Sequence, residues 1–437
     1  MINLFDHYHQ QSWDLHFSLL RAGYTHPTVV IQDDGFLPED VTSPYLYFTG
    51  FSEAEGRPLY FNDLPLPRFW EIRSTNRQAE VFDLHEKKAI IHFSPAHYNR
   101  LVKTVDWLDS KGRVRFIDRY NRFGARFAQT TLSEQGESIK TSYYNRKQQE
   151  VIVEHHATGS ILLQDGGKQH IFANREQFVA YYLQVAGFDL DRIFYNSLST
   201  PFFVTLSLAG AGEDILFWQE PIVDDIPGNM RFLFDQSPRT TKVVVQDKAT
   251  YEKMLPLLTE AQRECVSYVG FLYPFKEERE LTKDALILTN SDQIEQLEFL
   301  IQALPDLQFH IGALTEMSGK LMHMGEYPNV QLYPNITVDK ARELLEKSRI
   351  YLDINHHEEI LSAVRAAFEQ RTWIFAFNET VHHRQYVAPQ LVFPAVDVSA
   401  MVAQLKSCLE QPTFRYELLQ AQDRQANVAS EADYQNL

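Results

Sequence analysis

Cysteine is almost missing from this sequence. Only Cys265 and Cys408 occur among its 437 residues, and no CxxC spacing is present. Two cysteines so far apart in the chain imply no disulfide framework, and a reducing cytoplasm is therefore the simplest expectation.

Long hydrophobic runs and an excess of positive charge are also missing. No stretch approaches the ~20 apolar residues of a membrane span, and the start, "MINLFDHYHQQSWDLHF", lacks the basic and apolar regions of a signal peptide. The net charge is −17. A nucleic-acid partner is not expected, because phosphate binding needs a positive field. The same charge argues against a generally basic membrane-binding surface, although it leaves room for a local patch.

The common catalytic and cofactor motifs do not occur in a fitting context. The sequence has no GxGxxG, P-loop, GxSxG or HExxH pattern there. Histidines do cluster, at residues 7–9, 155–156, 356–357 and 382–383. Adjacent histidines point in different directions in a helix or a strand, so surface or hinge positions explain them better than a metal site. We therefore predict no metal and no cofactor.

What is present in the C-terminal half is an alternation of strands and helices. Helical periods separate several short apolar runs, each typical of a strand buried on both faces of a parallel sheet. Ser291 and Thr337 are the predicted N-caps of two of these helices. The pattern predicts a doubly wound α/β domain over 255–420. The runs are 284–289, 307–313, 330–334, 349–354, 372–377 and 390–395.

The N-terminal half predicts a second α/β domain that a β-sheet interrupts. Residues 1–66 and 161–254 have the α/β pattern, including a helix that stops at Gly23. Residues 67–160 alternate apolar and polar side chains, with hairpin turns at Ser110-Lys111-Gly112 and Gln135-Gly136. Residues 421–437 predict a polar helix that crosses back over the first domain. The fold class is therefore α/β and GT-B-like, with two Rossmann-like domains facing a cleft and an antiparallel sheet inserted in the first.

The stretch "RIYLDINHHEEILSAVRAAFEQRTWIFAF" resembles the donor-sugar corner of retaining GT-B glycosyltransferases, but it departs from their E-x7-E pattern. Aligned on the helix, the first glutamate is Glu358 and the second position is Ala366. The Gly and Pro of the pattern become Arg371 and Trp373. The loop that precedes the helix carries branched side chains where a phosphate needs bare backbone. Two acidic residues in the first turn of a helix are the simpler interpretation, because the helix dipole stabilises them.

A second element of the donor site is also missing. In glycosyltransferases of this class an Arg and a Lys after an early strand neutralise the diphosphate leaving group. Here residues 286–297, "LILTNSDQIEQL", contain no basic residue and carry Asp292 and Glu295. The sequence therefore predicts a corner that does not bind a nucleotide sugar.

Other strand-end loops supply candidates for binding a hydroxyl-rich acceptor. Asp33 and Asp34 lie in "IQDDGF", His310 in "HIGALTEMSGK", and His356 and Glu358 in the corner itself. An ordinary turn is the simpler interpretation of the first of these loops, and an ordinary loop is the alternative for the second.

The inserted sheet carries a candidate surface for a protein partner. Arginines alternate with aromatics in "RYNRFGARFAQTTL", and this mixture is typical of protein–protein interfaces. The alternative is packing within the same domain. The candidate interface residues are Arg119, Tyr120, Arg122, Phe123, Arg126 and Phe127.

Three features together resemble one family. They are the start "MINLFDHYHQQSWDLHFSLLRAGYTHPTVVIQDDGFLPEDV", the stretch "VDWLDSKGRVRFIDRYNRFG" and the altered donor corner. The chain resembles, over essentially its whole length, the stabilising, non-catalytic subunit of the two-component O-GlcNAc transferase that serves the accessory Sec system of Gram-positive bacteria.

The resemblance implies a set of partners and a place of action. A catalytic subunit of similar fold transfers GlcNAc from UDP-GlcNAc to Ser and Thr of serine-rich repeat adhesins before export. The subunit resembled here stabilises that partner and binds the acceptor polypeptide. The two subunits associate through their inserted sheets as a heterotetramer, and the complex is expected at the cytoplasmic face of the membrane.

The sequence thus predicts a pseudo-glycosyltransferase with no catalytic residue. Two alternatives remain. An active retaining glycosyltransferase would need Glu358 at the donor and a cation such as Lys320 for the phosphates. A pure structural scaffold would have an empty cleft, so that cleft substitutions change nothing while substitutions in the inserted sheet dissociate the complex.

Overall fold

A computed structural model of the chain describes residues 1–75, 78–94, 100–277, 282–435 and 437, with only the backbone given for 412–415. The chain divides into two compact units. The first unit is Met1–Val269 together with Leu437, and the second unit is Gly270–Asn436. Among the described residues, no helix combines the length and apolar character that crossing a bilayer requires.

The first unit contains a seven-stranded parallel sheet and a ten-stranded antiparallel sheet. The parallel sheet has the order β17-β16-β15-β14-β1-β2-β3, and the antiparallel sheet runs from β4 to β13 with consecutive strands as neighbours. The strands are β1 Ile2–Phe5, β2 Thr28–Val30, β3 Val41–Thr42, β4 Glu71–Ser74, β5 Gln78–Asp83, β6 Glu86–Phe93, β7 Val102–Leu108, β8 Val114–Tyr120, β9 Arg126–Leu132, β10 Ser138–Tyr144, β11 Glu150–His155, β12 Ile161–Asp165, β13 Lys168–Phe172, β14 Ile193–Tyr195, β15 Asp214–Trp218, β16 Thr240–Val245 and β17 Val266–Tyr268.

Helices flank the parallel sheet of the first unit. Gly23 follows the first helix with φ +93°, and its N–H donates to the Leu20 carbonyl at 3.1 Å, so the predicted stop is confirmed. The helices are α1 Gln10–Arg21, α2 Pro44–Thr49, α3 Arg175–Val185, α4 Thr200–Ser207, α5 Gly228–Gln236, α6 Lys248–Met254 and α7 Glu260–Glu264.

The antiparallel sheet is a meander whose tight turns rely on glycine. Gly112 joins β7 to β8 with φ +75°, and Gly136 joins β9 to β10 with φ +85°, which confirms both predicted hairpins. Tyr45 of α2 stacks on Tyr143 of β10 with ring centroids 4.2 Å apart, and this contact fixes the sheet to the α/β part of the unit. The predicted domain limits stay a prediction.

The second unit is built on a six-stranded parallel sheet of order β20-β19-β18-β21-β22-β23. Each of the six apolar runs found in the sequence contributes one strand, because a sheet covered on both faces requires apolar side chains at every position. The strands are β18 Asp284–Thr289, β19 Gln308–Ala313, β20 Val330–Tyr333, β21 Ile350–Asp353, β22 Trp373–Phe377 and β23 Val392–Phe393. The helices are α8 Leu297–Ala303, α9 Gly319–His323, α10 Val338–Lys347, α11 Ala363–Glu369, α12 Val398–Glu410 and α13 Pro412–Gln425.

One of the two predicted N-caps in this unit is correct. The Thr337 side chain accepts the Lys340 N–H at the start of α10. The prediction for Ser291 is wrong, because α8 begins after Gln296. Ser291 instead accepts the Gln293 N–H at 3.0 Å in a turn, so the chain is not yet helical there.

The C-terminal segment through Gln435 belongs to the second unit. Val428 forms a bridge with Phe271, and the buried Tyr434 hydroxyl donates to the Gly270 carbonyl at 2.6 Å. The predicted crossing of residues 421–437 over the first domain stays a prediction, and Asn436 lies outside the described residues.

The turn at Gly35 joins the two sheets of the first unit. The Arg122 N–H donates to the Gly35 carbonyl at 2.8 Å, which links the "IQDDGF" loop to the β8–β9 hairpin. Gly35 has φ +88°. A Cβ there would lie 2.6 Å from the Tyr120 carbonyl oxygen and 2.8 Å from the Phe127 ring. Only glycine satisfies both the backbone conformation and the close approach.

The variant Gly35→Ala is expected to lower the free energy of unfolding by about 3 kcal/mol, since it combines left-handed strain with a collision. Gly23→Ala is the matched control, because Gly23 also has positive φ but nothing lies within 4 Å of its Cβ position. The control is expected to cost about 1 kcal/mol. Urea unfolding followed by fluorescence measures both variants, and equal costs would contradict the role of Gly35 as a joint.

Candidate functional site

Three pairs of a histidine and a carboxylate lie at the carboxyl ends of strands, or in the loops that follow them, in the parallel sheet of the second unit. The first pair joins His356, just after β21, to Glu295 in the loop after β18, with Nε2 2.6 Å from Oε2. The two loops are also linked through their backbones, since the His356 N–H donates to the Gln293 carbonyl at 3.0 Å. The donor-sugar corner is thereby tied to its neighbouring loop by the protein's own side chains.

The second pair places a charged histidine beside a buried carboxylate. Asp353, the last residue of β21, is 1% exposed and accepts from His382 Nδ1 at 2.5 Å and from the His382 N–H at 2.8 Å. His382 Nε2 donates to the His357 carbonyl at 2.6 Å. Because both ring nitrogens face acceptors, the imidazolium form is favoured. The hydrogen bond to Asp353 is the main cause that raises the pKa of His382 to about 9.

The third pair fills the start of α11. Glu359 Oε1 accepts the Val364 N–H at 2.6 Å, in the first turn of that helix. Its other oxygen lies 3.0 Å from His383 Nε2, and this hydrogen bond raises the pKa of His383. The side chain of Glu359 thus takes the place at the helix start where the glycosyltransferase pattern exposes backbone N–H groups.

The backbone of the corner keeps conformations that glycine usually adopts. Leu361 and Ser362 have φ of +58° and +50°, and Arg371 has φ +58° at the position of the pattern's Gly. Each costs roughly 1–2 kcal/mol for a residue with a Cβ. At Arg371 the cost is offset by a bidentate ion pair with Asp423, at 2.5 and 3.1 Å, and by the Phe275 ring below the guanidinium.

The remaining residues that the sequence compares with the donor pattern lie on α9, on α11 and in the loop before α11. Ala366 lies in α11, and its methyl group offers no acceptor to ribose hydroxyls. Lys320, the cation of the alternative hypothesis, lies on α9 with Nζ 3.4 Å from the Asp292 carbonyl. Glu358, the candidate first glutamate, is exposed. The prediction that Glu358 and Glu359 lie in the first turn of a helix is wrong, because α11 begins only at Ala363.

The structure corrects the predicted place of His310. This residue lies inside β19 and not at its end, and it is 4% exposed. Nε2 is 2.7 Å from Asp284 Oδ1 and Nδ1 is 3.0 Å from the Tyr333 hydroxyl. Both ring nitrogens therefore already have partners within the second unit.

Asp33 and Asp34 organise the loop that carries Gly35. Asp33 accepts the Gly35 N–H at 2.8 Å and the Ser43 hydroxyl at 2.7 Å, and burial raises the pKa of Asp33 to about 6. Asp34 is exposed and pairs with Lys103 of β7 at 2.7 Å. The turn that was the alternative to an acceptor site is thus present, and both carboxylates form their contacts within the first unit.

The candidate interface residues divide into a buried and a half-buried group. Tyr120 and Phe127 are 8% and 3% exposed and belong to the interior of the first unit. Phe123 is stacked on Phe51 with ring centroids 6.0 Å apart. These aromatics pack inside their own unit, which is the alternative that the sequence left open.

The arginines of the group keep part of their surface. Arg119 donates to the Thr130 hydroxyl at 3.3 Å, and Arg122 lies over the Phe123 ring. Arg126 Nη1 is 3.5 Å from the Asp118 carboxylate. Their role in binding a partner stays a prediction.

Sequence reasoning missed the ion pairs of the corner. It treated His382 and His383 as surface or hinge residues, because nothing in their own spacing names Asp353 and Glu359 as partners. The available signal was an aspartate at the end of a fully apolar strand, since a buried carboxylate requires a donor. Within the described ranges, no group of three or more His, Cys, Asp or Glu side chains is arranged to hold a metal ion.

Comparisons with known proteins agree along the whole chain. Family models match residues 2–48 (GtfB N-terminal domain), 70–173 (GtfB middle domain), 175–257 (GtfB third domain) and 285–422 (GftB/GlyA-F C-terminal domain). A solved structure, the GtfA/B complex bound to UDP and GlcNAc, contains a chain with TM-score 0.95 and 46% identity, covering 100% of this chain and 98% of that one.

Two α/β units with parallel sheets and an inserted antiparallel sheet define a protein of the GT-B glycosyltransferase class, as predicted. Curated relatives include the UDP-N-acetylglucosamine–peptide N-acetylglucosaminyltransferase stabilizing protein GtfB of Streptococcus gordonii, 48% identical over 100% of this chain and 97% of the relative. The protein of the same name from Streptococcus pneumoniae serotype 4 is 45% identical over 100% and 98%. The chain belongs to this family of stabilising proteins.

The pair of His382 and Asp353 is expected to make stability depend on pH. The pKa of His382 is about 9 in the folded chain and ~6.5 when unfolded, so its contribution is fully present below pH ~6.5 and is lost as the pH rises through about 9. The contribution is about 3 kcal/mol at most. Urea unfolding from pH 6 to 10 should show the decline in the wild type and a flatter profile in His382→Asn.

An exposed histidine provides the control for this measurement. His323 is 62% exposed and pairs with Glu326 at 2.9 Å, and such a pair stabilises little. His323→Asn should leave the profile unchanged. An identical decline in the His382→Asn variant would contradict the assignment.

Proposed function

We propose that this chain is a non-catalytic subunit that stabilises a catalytic O-GlcNAc transferase and binds its acceptor polypeptide. The observation that carries the proposal is identity of 48% along the whole chain with a protein named for stabilising such a transferase. The solved GtfA/B complex supports a hetero-oligomer with a catalytic partner.

The chemistry of the corner supports the non-catalytic part of the proposal. Ala366 stands where the pattern has a glutamate, and the Glu359 carboxylate already binds the Val364 N–H. A nucleotide diphosphate would meet this carboxylate at the helix start, and like charges repel there. Asp292 in the neighbouring loop adds a further negative charge, whereas Glu295 is paired with His356.

The acceptor and the place of action are the finer parts of the proposal. By its resemblance, the complex acts on Ser and Thr of serine-rich repeat adhesins before their export, as a heterotetramer at the cytoplasmic face of the membrane. The partner holds UDP-GlcNAc, and this chain holds the polypeptide. An extended polypeptide is bound by many weak polar contacts, so exposed polar side chains matter more than a deep pocket.

The candidate acceptor contacts differ in their exposure to solvent. His356, Glu358 and Asp34 are exposed, and His356 and Asp34 form surface pairs with Glu295 and Lys103. His310 and Asp33 have their polar atoms engaged within their own units. We therefore place the acceptor contacts at the first three positions, and we keep the other two as residues that support the fold around them.

Calorimetric titration of the purified chain tests the assignment of the two substrates. UDP-GlcNAc is expected to give no binding heat up to millimolar concentration, because a carboxylate occupies the diphosphate position. A serine-rich repeat peptide is expected to bind with Kd on the order of 10–100 μM, or about −6 kcal/mol. His356→Ala and Glu358→Ala together should weaken the peptide about tenfold.

The outcomes separate the competing hypotheses. Micromolar binding of UDP-GlcNAc would overturn the non-catalytic assignment and favour an active transferase, with Glu358 and Lys320 as the residues to substitute next. Binding of neither compound, with the partner still stabilised, would favour a pure scaffold. As the matched control, Glu326→Ala removes an exposed carboxylate on a different loop of the same unit.

Charge reversal in the inserted sheet tests the partner surface. Arg119→Glu with Arg122→Glu is expected to weaken association with the catalytic subunit about tenfold, because interface charges are complementary. The matched control is Arg146→Glu, an exposed arginine in the turn between β10 and β11 of the same sheet. Titration by biolayer interferometry measures both variants, and equal affinities would locate the partner surface elsewhere.

A further inference from the structure

A groove of about 570 Å³ lies between α8 and α9 of the second unit. Its floor is apolar, since Leu297, Leu321 and Met324 are 7%, 3% and 8% exposed. Phe299 of α8 forms part of the wall and keeps 44% of its surface exposed. The volume is in the range of ligand sites, and none of the proposed acceptor contacts lines the groove. An exposed apolar surface of this kind favours a partner that covers it.

Two carboxylates lie at the rims of the groove. Glu298 accepts the Tyr327 hydroxyl at 2.6 Å, and Gln302 donates to the same hydroxyl at 2.8 Å. Asp292 accepts the Ser318 hydroxyl at 2.8 Å. These donors are uncharged, so they fix the carboxylates in place without adding a positive charge. Both carboxylates therefore attract a cationic group on a ligand that enters the groove.

The segment that surrounds the groove is acidic. Residues 291–327 contain six Asp and Glu side chains and a single lysine, Lys320, whose Nζ lies 3.4 Å from the Asp292 carbonyl oxygen. Two of the six carboxylates, Glu295 and Glu326, pair with histidines. A nucleotide, an inorganic phosphate or an anionic lipid would be repelled here. The charge instead complements a basic partner.

The position of the groove on two helices decides the conformation of its occupant. An extended peptide gains affinity by hydrogen bonding to the edge strand of a sheet. The residues that line this groove belong to α8, α9 and the segments beside them, and not to a strand. A helix satisfies its own backbone groups and places side chains spaced by three or four residues into such a groove. A basic amphipathic helix therefore fits both the charge and the shape of this surface.

We propose that the groove between α8 and α9 binds a basic amphipathic helix of a partner protein. Apolar side chains of that helix cover Leu297, Phe299 and Leu321, while its Lys or Arg side chains pair with Asp292 and Glu298. The groove lies on the second unit, whereas the surface predicted for the catalytic subunit lies on the inserted sheet of the first unit. The proposed function does not require this second surface, so each can be refuted separately.

Fluorescence anisotropy of a labelled model peptide, titrated with the full chain, tests the proposal. The probe is an amphipathic peptide of leucine and lysine, about four helical turns long. It is expected to bind with Kd on the order of 10 μM at about 0.15 M salt. Asp292→Lys with Glu298→Lys should weaken binding about tenfold, because the charge of the rims is reversed. Phe299→Ser should weaken it about fivefold, because the apolar wall is lost.

Helix α10 of the same unit supplies the matched controls. Asp339→Lys with Glu343→Lys makes the same change of charge at two exposed carboxylates. Val338→Ser removes an apolar side chain that is 47% exposed, close to the 44% of Phe299. Both control variants should bind the peptide as the wild type does.

Three results would overturn the proposal. One is binding that is absent in the wild type or equal in all variants, since equal binding would follow the net charge of −17 and not the groove. Another is equal binding of a leucine and glutamate peptide of the same pattern. The third is dimerisation in sedimentation velocity that Glu298→Lys abolishes, which would identify a second copy as the occupant. Because Glu298 and Phe299 are exposed, Glu298→Lys and Phe299→Ser keep the test valid if the double variant unfolds.

Discussion

The carboxylate of Asp353 is the constraint on which the donor corner depends. It is 1% exposed at the end of a buried strand, and a charge in that place requires a partner. His382 supplies the partner through its ring and its backbone N–H, and its other ring nitrogen then reaches the His357 carbonyl. The loops after β21 and β22 are thereby fixed to each other. Glu359 and His383 form a second pair of the same kind, in which the histidine is more exposed.

The charged side chains of this corner bind one another, whereas the charged groups of a donor site bind the nucleotide sugar. In a transferase, the side chains and N–H groups of this corner remain available until the nucleotide sugar arrives. Here they neutralise one another within the chain, so their free energy stabilises the fold. Arg371 follows the same logic, because Asp423 and Phe275 hold it in a conformation that the glycosyltransferase pattern gives to glycine. An ion pair and an aromatic contact thus accommodate a side chain with a Cβ in the left-handed region.

The sequence predicted the sheets well because their signals are local. Runs such as "DALILT" are apolar at every position, and only a covered parallel strand requires that. The stop at Gly23 and the cap at Thr337 are equally local signals. Ser291 failed because a turn competed for its hydroxyl, and only the bridge between Ile294 and Asn355 shows why the chain turns there.

The candidate site was less predictable, because its contacts join residues distant in the chain. His382 and Asp353 are separated by a helix and a strand, and His310 finds Asp284 on the neighbouring strand. A single sequence identifies residue types that can bind a ligand, but it does not say which of them are already bound to one another. Glu358 lies at the surface, whereas the pairs formed by Asp353 and Glu359 with His382 and His383 hold the loops of the second unit together.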